Sequence, residues 1–110
     1  MIVELLYLPG CPNHGVTADL VHSVLKAEGM PAELQEIPIT DYEDASTHDF
    51  PGSPTIRVNG RDIENIPSYR LVVGYACRTY LVEGKQQGVP PRSSIERAIR
   101  AAQTAEENQP

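Results

Sequence analysis

Cys11, His14, Cys77 and Arg78 are the residues of this 110-residue chain whose types and spacing suit chemistry. Cys11 stands in the string Leu8-Pro9-Gly10-Cys11-Pro12-Asn13-His14, directly after an apolar run. A Pro-Gly turn, a cysteine and a second proline between a strand and a helix form an arrangement that activates sulfur. Proline suits the first helical position, where a missing N–H costs nothing. With Pro12 in that place, Cys11 falls at or near the N-cap, facing unpaired backbone N–H groups and the positive end of the helix dipole. Both favour the thiolate, the form that attacks disulfides and binds soft metals. His14, one turn on, is a candidate proton carrier or metal ligand. The dipole disfavours a cation there, so a neutral ring is expected.

Cys77 has two readings. As a partner thiol it resolves a sulfenic acid or mixed disulfide on Cys11, or supplies a second ligand to a soft ion. As a strand cysteine it is a small buried hydrophobe. Arg78 beside it either supports a thiolate or bound anion, or lies on the surface. His22 projects away from the apolar stripe of its helix. His48 sits among Asp41, Glu43, Asp44 and Asp49, without the regular spacing of a calcium loop, which reads as a solvated acidic segment. No nucleophile elbow, phosphate loop or dinucleotide fingerprint is present, and nothing in the sequence calls for a cofactor. Two cysteines with scattered histidines make a poor structural zinc site.

Composition narrows the partners. The formal net charge is −6, and no basic cluster marks a nucleic-acid face. Anionic membrane surfaces are excluded on the same ground. No apolar run is long enough to span a bilayer, and Met1-Ile2-Val3-Glu4 lacks the basic start of a signal peptide. The expectation is a cytoplasmic protein with thiols reduced at rest. The length implies one domain over residues 1–110. With one Phe and no Trp, its core is aliphatic.

The elements that must position these residues follow from periodicity. Residues 2–8 are a nearly continuous apolar run, suited to a strand covered on both faces. Residues 14–29 read as an amphipathic helix with Leu20, Val21, Val24 and Leu25 on one stripe and Gly29 as its stop. Ala32 to Thr40 reads as a second strand, placed at a sheet edge by Pro38. Asp41 to Asp49 is a loop or short helical turn. Asn59-Gly60 between residues 55–58 and 61–64 is a hairpin signal. Residues 71–82 are strand-like, with Leu71, Val73, Tyr75, Cys77, Thr79 and Leu81 on one parity. Glu83 to Pro91 reads as a loop. Ser93 and Glu96 suggest a capping box for a last helix whose stripe is Ile95, Ala98, Ile99 and Ala102, followed by a frayed tail over 105–110. The strand–helix–strand crossover favours parallel pairing of the first two strands. The fold class is α/β: a mixed sheet flanked by helices.

Cys11-Pro12-Asn13-His14 resembles the Cys-x-x-Cys motif of the thioredoxin-like superfamily with His in place of the second cysteine. Ser53-Pro54-Thr55, leading into Ile56-Arg57-Val58-Asn59-Gly60, resembles that family's cis-proline strand and hairpin. The likeness covers residues 2–64 and 92–104 and leaves 65–90 as an insertion before the last helix. The whole chain, with Cys77-Arg78 and Gly88-Val89-Pro90-Pro91, also resembles small bacterial thioredoxin-like proteins labelled alkylmercury lyase-like. The resemblance implies a cis bond before Pro54, whose loop faces Cys11, and a substrate groove shaped by Pro12, Ser53 and Pro54 with Arg78 nearby.

Two functions compete. In one, Cys11 attacks a disulfide or peroxide, and Cys77 or a small thiol resolves the product. In the other, Cys11 and Cys77 bind mercury or an organomercurial as thiolates, with His14 as ligand or proton donor. The absence of a cysteine at position 14 rules out the vicinal disulfide of an ordinary thioredoxin.

Overall fold

The computed structural model describes residues 1–66, 70 and 72–107. The chain runs β1 (Ile2–Tyr7), α1 (His14–Ala27), β2 (Glu33–Pro38), α2 (Tyr42–Thr47), β3 (Thr55–Val58), β4 (Arg61–Asp62), β5 (Tyr80–Val82), β6 (Lys85–Gln87) and α3 (Arg92–Glu107). The first four strands form a mixed sheet in the order β2-β1-β3-β4. β1 pairs parallel with β2, as the crossover through α1 requires, and antiparallel with β3. β2 lies at the sheet edge, where Pro38 placed it.

Alternation along β1 builds two cores. Val3 and Leu5 face α1 and α3, meeting Val21, Val24, Ile95 and Ile99 with Ile56 from β3. Leu6 faces the other way, onto Ile39, Ala45 and Phe50. The strand is therefore covered on both faces, and its continuous apolar run is explained. Helix α1 stops as Gly29 predicts. Gly29 takes φ +64°, its N–H donates to the Lys26 carbonyl, and the Met30 N–H donates to the Leu25 carbonyl. That pair of bonds satisfies the last carbonyls of the helix. The stripe on α3 is also as read, with Ile95 and Ile99 fully buried.

Four expectations are corrected. First, α1 does not begin at Pro12: its N-cap is Asn13, whose side chain makes no capping bond. Pro12 instead occupies a turn closed by the His14 N–H on the Cys11 carbonyl. Second, the strand expected over 71–82 is confined to Tyr80–Val82; Leu71 lies outside the described residues. The preceding segment runs beside residues 50–53 and finds only a single bridge, Ser53 to Cys77. Its inward parity is the opposite one, with Arg78 and Tyr80 buried while Cys77 and Leu81 are exposed. Third, the loop expected over 83–91 contains β6, paired antiparallel with β5 through Glu83-Gly84. Both turn residues have positive φ, at 50° and 79°, the geometry of a two-residue hairpin. Fourth, Ser93 lies inside α3, and Glu96 pairs with Arg92 at 3.3 Å, so no capping box forms. The helix continues through Glu107, past the point where a frayed tail was expected; residues 108–110 lie outside the described ones.

Candidate functional site

Two successive turns carry the chain from β1 into α1, and Cys11 is the residue they share. Its N–H donates to the Leu8 carbonyl at 2.9 Å, closing a turn with Pro9 and Gly10 in the middle. Gly10 takes φ +86°, the conformation that the third residue of a Pro-Gly turn requires. The Cys11 carbonyl then accepts the His14 N–H at 3.3 Å. Both backbone groups of Cys11 are therefore tied down, and its thiol is free and half-buried. It lies two residues ahead of the helix N-cap rather than on it.

Ser53 joins this turn to Cys77. Its Oγ accepts the Leu8 N–H at 3.0 Å, on the far side of the residue whose carbonyl holds Cys11. Its own N–H donates to the Ala76 carbonyl at 2.9 Å, and its carbonyl accepts the Arg78 N–H at 2.8 Å. These two bonds flank Cys77, which is exposed and free. The next bond, Ser53–Pro54, is cis, as the resemblance implies. One fully buried serine thus fastens both cysteine-bearing segments to the start of the Pro54 loop. Gly52 permits that closeness: a Cβ there would stand 2.9 Å from the Arg78 Cβ. The far end of the inserted segment also reaches the Cys11 turn, since a Cβ on Gly88 would run into the Asn13 side-chain amide.

His14 lies on the same turn but is held from outside it. Its Nε2 meets the Glu36 carboxylate of β2 at 2.6 Å, and its ring stacks on Tyr7 with centroids 3.6 Å apart. Arg78 is neither a surface residue nor open to substrate. Its Nη1 donates to Asp62 Oδ2 at 2.6 Å and to the Thr55 hydroxyl at 3.2 Å, its Nη2 donates to Asp62 Oδ1 at 3.0 Å, and its guanidinium lies over the Tyr80 ring. Burial alone would lower its pKa; the hydrogen bonds and charge of Asp62 outweigh that, and the net direction is upward. Tyr80 donates its hydroxyl to the Pro54 carbonyl at 2.6 Å. Burial pushes its phenol well above the ordinary tyrosine range, against the opposing pull of Arg78. Arg78 and Tyr80 therefore brace the Pro54 loop from behind.

Hydrogen bonds through Leu8 and Ser53 link the Cys11 turn to the start of the Pro54 loop and to the segment carrying Cys77. Among the described residues no hydrogen bond joins Pro12 to that set, and Arg78 is turned away into the frame. Sequence reasoning missed Glu36, Asp62 and Tyr80 as partners. Alternation within β2 could place Glu36 on a face; nothing local links Arg78 to Asp62, which meet only through the folded chain. His22 is exposed, as read. His48 pairs with Asp44 at 3.4 Å. Among the described residues, no three His, Cys, Asp or Glu side chains gather to hold a metal ion, so a soft-metal site rests on the two thiols. No helix among them is long and apolar enough to cross a membrane. Comparison of the chain with protein-family models, with curated proteins and with solved structures found no match.

Proposed function

We propose that this protein is a thiol-dependent oxidoreductase of thioredoxin-like architecture, with Cys11 as nucleophile and Cys77 as resolving thiol. The observation that carries the reading is the double attachment of Ser53, to the Cys11 turn through Leu8 and to both neighbours of Cys77. The strand order β2-β1-β3-β4, with α1 crossing between the parallel pair and a helix after the hairpin, supports the architecture. The exposure of Cys77 supports reactivity over a packing role.

With a disulfide substrate, the Cys11 thiolate attacks one sulfur, forming a mixed disulfide and expelling the other sulfur as thiolate. The Cys77 thiolate then attacks Cys11, closing a Cys11–Cys77 disulfide and releasing the second substrate thiolate. With a peroxide, the Cys11 thiolate attacks one oxygen, and the O–O bond breaks with release of alcohol or water. The Cys77 thiol then condenses with the resulting sulfenic acid, forming the disulfide and releasing water. An external dithiol returns both cysteines to thiols. Pro12, Ser53 and Pro54 border the path to Cys11, and His14, tethered to Glu36, positions the turn. The chemistry belongs to the cytoplasm, where such dithiols keep cysteines reduced.

Mild peroxide followed by mass spectrometry tests this. The expected product is an intramolecular Cys11–Cys77 disulfide reversed by a low-potential dithiol. Cys77→Ser should accumulate sulfenic acid or a mixed disulfide at Cys11. Cys77 remaining an unreacted thiol while Cys11 oxidises overturns the two-cysteine mechanism. A parallel titration with mercuric ion reads the competing chemistry: one ion per chain protecting both thiols from alkylation, with no disulfide under peroxide, would replace redox exchange with metal capture.

A further inference from the structure

We infer that the cleft between the β3–β4 hairpin and α3 binds a small amphipathic carboxylate. The cleft has a volume of about 270 Å³. Its floor is Val58 and Ile63, both almost entirely buried. One wall is the face of α3 that carries Ala98, Ala101, Ala102 and Ala105. Methyl side chains there stop short of the hairpin, where longer ones would fill the gap. The site is separate from the thiols. The hairpin turn donates from the Asn59 N–H to the Ile2 carbonyl at the start of β1, whereas Cys11 follows the end of that strand.

Charge assigns the ligand class. Arg61 and Arg97 border the cleft, both exposed. Neither has a carboxylate partner among the described residues, while Arg78, Arg92 and Arg100 each do. This holds in a chain with 15 acidic and nine basic residues. Two of the acidic groups at this end are already engaged, which leaves the exposed Glu64 against two arginines. Asp62 gives both oxygens to Arg78, and its Oδ1 also accepts the Glu64 N–H at 2.8 Å. Glu106 pairs with the Met1 amino group at 2.9 Å. An entering anion therefore finds Arg61 and Arg97, both without a carboxylate partner among the described residues, in the lining of a cleft with an apolar floor. Guanidinium matches carboxylate in a two-bond fork, and the floor takes a short hydrocarbon body. A strongly hydrated polyanion would gain nothing from Val58 and Ile63.

Titration of the full chain with hexanoate, followed by backbone amide NMR shifts, tests the assignment, with hexanol as the uncharged match. Saturable shifts are expected across residues 58–63 and 97–105, with hexanoate binding more tightly than hexanol. The Arg61→Gln/Arg97→Gln variant, altered only at exposed positions, should weaken hexanoate by about tenfold or more and leave hexanol unchanged. Ala101→Leu, also on the surface, should fill the cleft and remove both. Absence of saturable shifts, equal binding of acid and alcohol, or unchanged hexanoate affinity in the double variant overturns the inference.

Discussion

Arg78 grips Asp62 through two parallel hydrogen bonds, 2.6 and 3.0 Å long, with both side chains more than nine-tenths out of solvent. The pair locks the segment carrying Cys77 to the β3–β4 hairpin. Removing one member strands the other as a buried charge. Asp62→Asn should therefore cost about 3–5 kcal/mol in chemical denaturation. Replacing both, as Arg78→Met with Asp62→Leu, should recover most of that loss, because an apolar pair leaves no charge unpaired. A double variant as unstable as Asp62→Asn would show that the fork contributes more than charge balance.

Tyr80 should make the fold sensitive to alkali. Its phenol is raised by burial, while the unfolded chain ionises tyrosine near pH 10. A raised acid stabilises the fold fully below that pH, and the contribution is lost as pH climbs above it. One of the five tyrosines should therefore resist ionisation in near-ultraviolet absorbance until the chain unfolds. Tyr80→Phe should abolish that late step. It should also cost about 1–2 kcal/mol at neutral pH, by leaving the Pro54 carbonyl without its donor.

Ser53→Ala separates attachment from packing. It deletes the acceptor of the Leu8 N–H and nothing else large, so stability should fall by about 1–2 kcal/mol. If the two cysteines depend on that bond for their approach, their effective concentration should drop by about tenfold when equilibrated against glutathione. An unchanged thiol–disulfide equilibrium in a variant of reduced stability would assign the bond to folding alone.

Gly52→Ala should be among the most damaging single-methyl additions. Gly52 takes φ +138°, a conformation L residues rarely adopt, and the new Cβ meets the Arg78 Cβ at 2.9 Å and the Ala76 carbonyl at 3.2 Å. A loss of about 2 kcal/mol or more is expected. Gly84→Ala provides the comparison, with φ +79° but open space around it, and should cost less. Equal losses would mean that backbone conformation, not contact with residues 76–78, sets the penalty at Gly52.

Periodicity and turn chemistry made the sheet legible: β1, α1, β2, the Asn59-Gly60 hairpin and α3 all follow from local pattern. The segment after the hairpin did not, because its structure is set by distant partners. Alternation put Cys77 and Arg78 on opposite parities and left two readings open for each; Asp62, Thr55 and the Pro54 carbonyl draw Arg78 and Tyr80 inward and turn Cys77 to solvent. The hairpin at Glu83-Gly84 escaped notice because glutamate is an unusual residue for a positive φ. Pro12 misled for a similar reason. Its fixed φ suits the first residue of a helix and the second residue of a turn equally well, and only the bond from the His14 N–H to the Cys11 carbonyl decides between them.

Strand β2 closes one side of the sheet, and among the described residues no strand pairs with its outer hydrogen-bonding edge. Such an edge is a template on which a second chain can extend the sheet. Here the strand carries exposed Glu33 and Glu36 and ends at Pro38, which has no N–H to offer. A copy brought alongside would bring more of this negative charge to the joint, and the proline would interrupt the ladder at its last rung. The strand that anchors His14 thereby also discourages fibrous self-association, and neutralising Glu33 and Glu36 would remove the electrostatic part of that barrier.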